Sequence, residues 1–198
     1  MPKLLLATFN HGKIEEYRIL LDGLGYDITR LAEAGIRTVI TESLNSYQQN
    51  ARLKATAYAK LSGLLTLADD SGLEVDALGG EPGVKSARFA GETATDAERV
   101  SLLLARLVGV PWERRTAHFK CVIAVATPQG RVEICYGECD GMIALEPKGV
   151  NGFGYDPVFF LPDQGKTMAE LPTSIKNRIS HRARACQKVH QVLQRLHY

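Results

Sequence analysis

Two adjacent carboxylates, Asp69 and Asp70, interrupt an apolar run in the stretch LADDSGLEVDALGG (67–80). A hydroxyl, that of Ser71, and a glycine follow them before the apolar pattern resumes. One carboxylate of such a pair, at the end of a strand, can hold Mg²⁺ or polarise an attacking water molecule. The same residues are also typical of an Asx turn, in which the side chain bonds its own backbone. The residues alone leave both interpretations open.

A second polar segment, TFNHGK (8–13), lies between a predicted strand and a predicted helix. Backbone amides at a helix start, a hydroxyl, an amide side chain and a lysine together suit a polyphosphate. Turns from strand to helix often contain Asn, Gly and Lys for structural reasons alone. This segment by itself therefore does not establish a phosphate-binding loop. Further along, Glu42 precedes a helix on which Asn50 and Lys54 lie one turn apart. A surface helix beside a loose glutamate is the alternative there.

Two further segments carry glycines, aromatic rings and positive charge. In GVNGFGYDP (149–157), glycines flank Phe153 and Tyr155, which indicates either a close-approach loop with stacking rings or a simple glycine-rich turn. The segment KNRISHR (176–182) belongs to a stretch, 171–198, that contains no acid, and we expect an anion site there. A nucleic-acid surface is the rival interpretation. It lacks support because the net charge is only +2 and no nucleic-acid motif is present.

The elements that must position these residues alternate between strand and helix, which is typical of an α/β fold. A hairpin with its turn at Pro128–Gly130 makes the sheet mixed. Capping boxes open two of the helices, one at Ser46 and Gln49 and one at Thr95 and Glu98. The predicted strands are KLLLAT (3–8), YDITRL (26–31), LLTLAD (64–69), the hairpin (117–143) and PVFFLP (157–162). The predicted helices are GKIEEYRILLDGLG (12–25), a segment from Ser46 through Ala59, DAERVSLLLARLVG (96–109) and one segment over 174–197.

The composition sets bounds on the class of protein. The chain has 198 residues, 45% apolar and 23% charged, which suits one soluble globular domain over 1–198. No apolar run approaches the roughly 20 residues of a membrane span, and no secretory signal is visible at the first residues. The four cysteines show no metal-ligand spacing, so we expect reduced, buried thiols in a cytoplasmic protein: Cys121, Cys135, Cys139 and Cys186.

Five motifs, in the same order and spread over nearly the whole chain, resemble the inosine triphosphate pyrophosphatase family. They are TFNHGK, ADDSGLEVDALGG with PGVKSARFAG, NGFGYDPVF, GKTMAEL and KNRISHR. Members hydrolyse non-standard purine nucleoside triphosphates (ITP, dITP, XTP) to the monophosphate and pyrophosphate. The resemblance implies a Mg²⁺-dependent hydrolase, a homodimer that binds neither nucleic acid nor membrane, and a long mixed sheet flanked by helices, with two lobes around a nucleotide cleft.

The resemblance also implies roles for individual residues. Asp70 is implied as the general base and as a metal ligand, with Glu42 as a second metal ligand. Lys54 and Ser71 are implied to contact the substrate. A nucleotide-binding regulatory protein, the alternative class, would keep the loops without needing Asp70. The implied phosphate loop is Thr8, Phe9, Asn10, His11, Gly12 and Lys13; the implied base pocket is Phe153, Gly154, Tyr155, Asp156, Lys176, His181 and Arg182.

The chain departs from the family pattern at three places. Gln49 stands where a glutamate is usual; glutamine can still complete a capping box, but a role for that charge in metal binding is in doubt. Leu44, Ser46 and Tyr47 replace the usual Gly, Thr and Phe, so we expect this loop to differ in shape. Ile175 stands where a glutamate is common.

Arg182 is the residue we expect to read the 6-keto group of the base, with support from His181 and Lys176. Adenine presents an amino group at that position and would leave the donors unpaired, which such a site rejects strongly. The alternative is a structural Arg182 that pairs with Asp156 or Glu170 to join two loops. The role of Asp69 stays open: it either holds neighbouring residues in place or binds a group just outside the direct ligands of the metal.

Overall fold

Seven strands form one mixed sheet in the part of the chain that the computed structural model describes, residues 1–41 and 45–196. The strand order is β2-β1-β3-β4-β5-β6-β7. β1 pairs in parallel with β2 and β3, whereas β6 pairs antiparallel with β5 and β7. This confirms the α/β class and the mixed sheet. The strands are β1 (Lys3–Leu6), β2 (Asp27–Arg30), β3 (Leu65–Val75), β4 (Thr116–Ala126), β5 (Val132–Ile143), β6 (Phe159–Leu161) and β7 (Lys166–Thr167).

Five α-helices accompany the sheet among the described residues, and two of them start at the predicted capping residues, Ser46 and Thr95. Ser46 accepts a hydrogen bond from the amide of Gln49, and Thr95 forms a full capping box with Glu98. No helix in the described ranges combines the length and the apolar character needed to cross a membrane. The helices are α1 (His11–Leu20), α2 (Tyr47–Ser62), α3 (Asp96–Arg106), α4 (Thr173–Ile179) and α5 (His181–Leu196).

The chain divides into two compact units, and β3, β4 and β5 each contribute residues to both. Unit 1 comprises Met1–Asp70, Cys121–Gly137 and Arg182–Tyr198, as far as these ranges are described. Unit 2 comprises Ser71–Lys120 and Glu138–His181. Each unit has its own apolar core. The buried apolar residues form two clusters within unit 1 and one cluster within unit 2.

Unit 1 is a three-layer structure because successive strand residues point to opposite faces of the sheet. Leu4 and Leu6 lie in a cluster with α1 and α5, whereas Leu5 lies in a cluster with α2. The same alternation runs along β4, where Ile123 joins the first cluster and Val122 the second. Both faces of the strands are therefore buried, which explains why KLLLAT contains an unbroken apolar run.

Unit 2 buries one cluster that joins α3 to the strands and to the segment after β5. Leu73 and Val75 of β3, Phe119 of β4 and Phe159 of β6 belong to it. Phe119 and Phe159 contact each other with ring centroids 4.3 Å apart. All four cysteines of the chain are buried and unbonded to one another, as expected.

The prediction that the third strand ends at the acids is wrong. β3 runs from Leu65 to Val75, so Asp69, Asp70 and Ser71 lie inside a strand and not in a turn. The strand that ends is its neighbour: β1 pairs with β3 only as far as Leu67. Asp and Gly disfavour strands by propensity, but burial of the following residues in unit 2 outweighs that preference. The acids thus lie just beyond the carboxyl end of β1, on a strand that continues.

The single helical segment predicted for 174–197 is two helices. α4 ends at Ile179, and Ser180 takes an extended conformation with ψ of 158° before α5 begins at His181. Serine is favoured at such positions because its hydroxyl competes for helical amides. The break assigns Lys176 and Arg182 to different helices, and also to different units.

Candidate active site

The phosphate-loop segment of unit 1 is a tight link from β1 into α1. Ala7 donates its amide to the carbonyl of Leu67 at 2.8 Å, which ties the start of the link to β3. Asn10 caps α1, since its Oδ1 accepts the amide of Lys13 at 3.0 Å. Phe9 is 46% exposed, and Asn10 and His11 are exposed too, so the amino end of α1 is open to solvent. The remaining amides and the helix dipole favour an anion there.

Asp69 holds the lysines that were predicted to bind phosphate. Its Oδ2 lies 2.9 Å from Lys13 Nζ, and its backbone carbonyl accepts Lys54 Nζ at 2.5 Å. The residue is buried, with 1% of its surface exposed. Burial raises the pKa of the Asp69 carboxyl, but the charges of Lys13, Arg182 and Lys54 outweigh it and hold the pKa well below its usual range. Asp69 is therefore ionised, and three cationic side chains surround it.

Asp70, the expected general base, is oriented by α2. Asn50 donates its Nδ2 to Asp70 Oδ2 at 2.9 Å, and both residues are buried. The expected one-turn spacing of Asn50 and Lys54 thus brings Asn50 to Asp70 and Lys54 to Asp69. The sequence places Asn50 one turn from Lys54 on the helix but does not indicate its contact with Asp70. Glu42, the other expected metal ligand, lies outside the described residues, as does Leu44.

Arg182 is buried in unit 1 and paired with Glu16 of α1. Its Nε lies 3.8 Å from Asp69 Oδ2, and its guanidinium lies over the ring of Tyr17, 5.8 Å from the centroid. Burial lowers the pKa of Arg182, but the carboxylates of Glu16 and Asp69 raise it by more, so the pKa lies well above its usual value. A partner 166 residues away gives no local signal in the sequence, and Glu16 was missed for that reason.

The predicted base loop of unit 2 is organised by Asp156. Its Oδ2 accepts the amide of Phe153 at 2.9 Å and pairs with Lys176, whose Nζ lies 5.0 Å from the centroid of the Phe153 ring. Gly152 has φ of 77°, and a β-carbon there would meet Asp156 Oδ2 and come within 2.8 Å of Lys176 Nζ. Only glycine fits this position. The loop and α4 are therefore joined by a buried ion pair.

Tyr155 and Phe153 differ in what their rings can do. Tyr155 is 5% exposed, donates its hydroxyl to the carbonyl of Ser86 at 2.8 Å and packs in the core of unit 2. Burial raises the pKa of its hydroxyl. The Phe153 ring is half-buried, so the stacking expected of this loop rests on Phe153. Gly154 donates its amide to Asp96 Oδ2 at 2.7 Å, a contact that the sequence pattern did not indicate.

His181, Ser71 and Lys176 complete the predicted set within unit 2. His181 is 5% exposed and stacks on Phe119, with centroids 4.7 Å apart and planes 15° apart. Ser71 is half-buried in β3, next to Asp70 in the chain. The structure thus brings Lys13, Lys54, Asp69, Asp70 and Arg182 together in unit 1, and the base loop, Lys176 and Asp156 together in unit 2.

The comparison with known families decides the relationship of this chain. The Ham1 family model matches residues 4–192. The chain belongs to the Ham1 family. A dITP/XTP pyrophosphatase of Desulforamulus reducens is 50% identical over 195 residues, covering 98% of this chain and 97% of that protein. The dITP/XTP pyrophosphatase of Bacillus subtilis is 45% identical over 194 residues, covering 98% of both chains.

The fold comparison agrees with the Ham1 assignment. The solved structure of a HAM1 protein from Coxiella burnetii superposes with a TM-score of 0.89 at 42% identity, covering 98% of this chain and 100% of that one. The resemblance drawn from the five motifs is thereby confirmed for family and fold. The two curated Ham1 relatives carry the same activity in their names, and the function of this chain is argued from that below.

Proposed function

We propose that this protein hydrolyses non-standard purine nucleoside triphosphates, ITP, dITP and XTP, to the monophosphate and pyrophosphate, and so cleanses the nucleotide pool. The observation that carries the proposal is the match over 97–98% of each chain to proteins named dITP/XTP pyrophosphatase. The grouping of Asp70, Asn50, Asp69 and two lysines in unit 1 supports it. We infer likewise that residues 1–198 act as one domain and that the protein is a cytoplasmic homodimer; these inferences rest on the family resemblance.

The donor set of unit 1 fits a divalent cation that prefers oxygen ligands. Asp70 offers carboxylate oxygens, and an ionised carboxylate has about four lone-pair sites. The neighbouring Asp69 Oδ1 is buried and accepts no hydrogen bond from the described residues, which leaves one more acceptor in the same stretch. We propose Mg²⁺ as the cofactor, held by Asp70 and by Glu42. When bound, it withdraws negative charge from phosphate oxygens.

The chemistry proposed for unit 1 divides between a base and cations. Asp70 Oδ2, fixed by Asn50, orients a water molecule and accepts its proton as the oxygen attacks the α-phosphorus. The bond from the α-phosphorus to the bridging oxygen breaks, and pyrophosphate leaves. Lys13 and Lys54 neutralise the charge that develops on the phosphate oxygens. Because Asp69 already holds both ammonium groups in place, little reorganisation is needed when the substrate binds.

The chemistry proposed for the base falls to the loop of unit 2 and to Arg182. Phe153 stacks on the purine, while Lys176 and His181 support recognition of its 6-keto oxygen. The family resemblance alone implies that Arg182 also donates to the 6-keto oxygen; within unit 1, its pairing with Glu16 would fix the direction of the guanidinium. Thr8 to Lys13 would bind the phosphates at the amino end of α1. Ser71, beside the base Asp70, would contact the substrate.

Release of pyrophosphate from dITP tests the proposal. We expect one pyrophosphate and one dIMP per dITP in Mg²⁺, no turnover in EDTA, and much slower hydrolysis of ATP. The Asp70→Asn variant is the matched control, because it keeps the shape of the side chain and removes its charge. A regulatory nucleotide-binding protein would bind dITP without releasing pyrophosphate. A nucleic-acid-binding protein would neither bind dITP nor release pyrophosphate from it, and it would bind polyanions in a strongly salt-dependent manner.

A further inference from the structure

His118 of unit 2 lies between carboxylates on both sides, and nothing in the proposed nucleotide chemistry uses it. Its Nδ1 lies 2.7 Å from Asp140 Oδ1 and 3.5 Å from Glu138 Oε1. Its Nε2 lies 3.3 Å from Asp76 Oδ2. These are side chains of three neighbouring parts of the sheet, since β4 carries His118, β5 carries Glu138 and Asp140, and Asp76 directly follows β3.

The sheet itself aims these groups at one point. Ile143 donates its amide to the carbonyl of Arg115 at 2.8 Å, a register that places His118 directly opposite Asp140 in the hairpin. Glu138 is two residues from Asp140 and therefore points to the same face of the sheet. One ligand atom from each of His118, Glu138 and Asp140 can be chosen so that all three lie within 4.8 Å of one another.

The spacing suits a first-row metal ion. Bonds of about 2.1 Å place two ligand atoms about 3.0 Å apart in octahedral and about 3.4 Å apart in tetrahedral geometry. The distances from His118 Nδ1 to the two carboxylate oxygens, 2.7 and 3.5 Å, fall close to this range. The carboxylate side chains of Glu138 and Asp140 are 51% and 74% exposed, so small rotations can close the third side and an ion can enter from solvent.

Asp76 supplies a second, independent feature of such sites. Histidine ligands nearly always donate their other ring N–H to a carboxylate, which fixes the tautomer and orients the ring. Asp76 is placed to accept from Nε2, and it is itself held by the hydroxyl of Thr116 at 2.6 Å. With an ion bound, a proton on Nε2 shared with Asp76 would leave the Nδ1 lone pair facing the ion between Glu138 and Asp140.

The charge around the ring points the same way. One imidazole faces three carboxylates, those of Asp76, Glu138 and Asp140. Lys120, the next residue on this face of β4, bonds to Glu74 at 2.7 Å. We propose that His118, Glu138 and Asp140 bind one divalent first-row transition-metal ion, with Asp76 as the carboxylate behind the histidine. An imidazole with two carboxylates suits Zn²⁺, Co²⁺, Ni²⁺ or Mn²⁺, whereas Mg²⁺ prefers oxygen alone.

Titration of the intact chain with Co²⁺ in excess Mg²⁺ tests the proposal. Mg²⁺ occupies all-oxygen sites, and the visible absorption of Co²⁺ reports a site that includes nitrogen. We expect one equivalent of Co²⁺ to bind, His118→Ala to weaken binding by more than about 100-fold, and Asp76→Ala to weaken it by about 10- to 100-fold, the range for carboxylates behind a ligand. His190→Gln is the control, because it removes an imidazole that bonds to the Leu20 carbonyl instead.

A second measurement covers variants that fail to fold. Zn²⁺ added to the wild-type chain should shift the ring proton resonances of His118 and leave those of His190 in place. Wild-type protein that binds no Co²⁺ up to about 1 mM, or His118→Gln that binds Co²⁺ as tightly as wild type, would overturn the proposal. Ring resonances of His118 that do not move with Zn²⁺ would overturn it too. None of these outcomes depends on nucleotide hydrolysis.

Discussion

Removal of the Glu16 carboxylate tests whether the buried ion pair with Arg182 holds unit 1 together. Glu16 and Arg182 are only 7% and 2% exposed, and they pair across α1 and α5. Glu16→Gln keeps the size of the side chain and an acceptor oxygen but removes the charge. The guanidinium then keeps the carboxylate of Asp69, whose Oδ2 lies 3.8 Å from its Nε.

The expected magnitude follows from the cost of a buried charge that loses its partner. Breaking a buried pair from one side costs about 3–5 kcal/mol. Because Asp69 still compensates part of the charge, we expect about 3 kcal/mol for Glu16→Gln and more for Glu16→Ala. In a chain of this size each 1 kcal/mol corresponds to about 2–4 °C, so Tm should fall by about 6–12 °C.

Urea unfolding, followed by circular dichroism, measures the effect as a fall in the midpoint at constant slope. Replacing both partners by methionine should recover much of the loss, because an apolar pair of similar volume avoids the desolvation cost. The matched control is Glu33→Gln, which breaks the exposed pair with Arg30 at 2.6 Å and should cost under about 1 kcal/mol. A Glu16→Gln protein within about 0.5 kcal/mol of wild type would refute the reasoning.

Four further predictions concern the charged residues of unit 1. Asp70→Asn should lower kcat for dITP by at least about 10²-fold with folding intact; near wild-type turnover at saturating Mg²⁺, or a larger loss in Asp69→Asn, would show that the base is misassigned. Lys13→Ala and Lys54→Ala should each weaken ITP and GTP alike in kcat/KM, and a changed ITP-to-GTP ratio would place that lysine at the base instead. Arg182→Ala should lower kcat/KM for ITP far more than for ATP, so that the ratio of the ITP value to the ATP value falls by about 10- to 100-fold. Equal losses on both substrates in a folded variant would show that Arg182 has only a structural role. Asp69 has a lowered pKa, so its ionised form should contribute stability fully above about pH 4 and lose it only as the pH falls through the lower folded-state pKa. Acid titration of the urea midpoint should therefore be steeper below about pH 4 in wild type than in Asp69→Asn, and equal slopes would contradict that origin.

The parts of the fold that follow from short-range pattern were predictable. The apolar alternation around the hairpin and the capping residues Ser46 and Thr95 act within a few positions of themselves, and the structure has them where expected. The end of β3 was not predictable in this way. Its continuation through Asp69 and Asp70 depends on burial of Leu73 and Val75 in another part of the chain, which no local preference reports.

The candidate site divides along the same line. The residue types at Lys13, Asp69 and Asp70 indicated phosphate and metal chemistry from the sequence, but their mutual contacts did not follow from it. Pairings such as Arg182 with Glu16 join segments far apart in the chain, and many carboxylates could have served as the partner. Tyr155 shows the same limit, because an aromatic residue in a glycine-rich loop is equally consistent with stacking and with burial in a core.

The pairing of Glu16 with Arg182 also constrains how this chain can diverge. The two codons lie 166 positions apart in the gene, while the folded protein holds the two side chains in one buried pair. A lineage that exchanges the pair for apolar residues one at a time passes through a chain in which one buried charge has lost its direct partner. The two positions should therefore change together or not at all, and each should look invariant whenever its partner is retained. In evolution, the two positions should therefore behave as a single coupled unit, although they lie far apart in the gene.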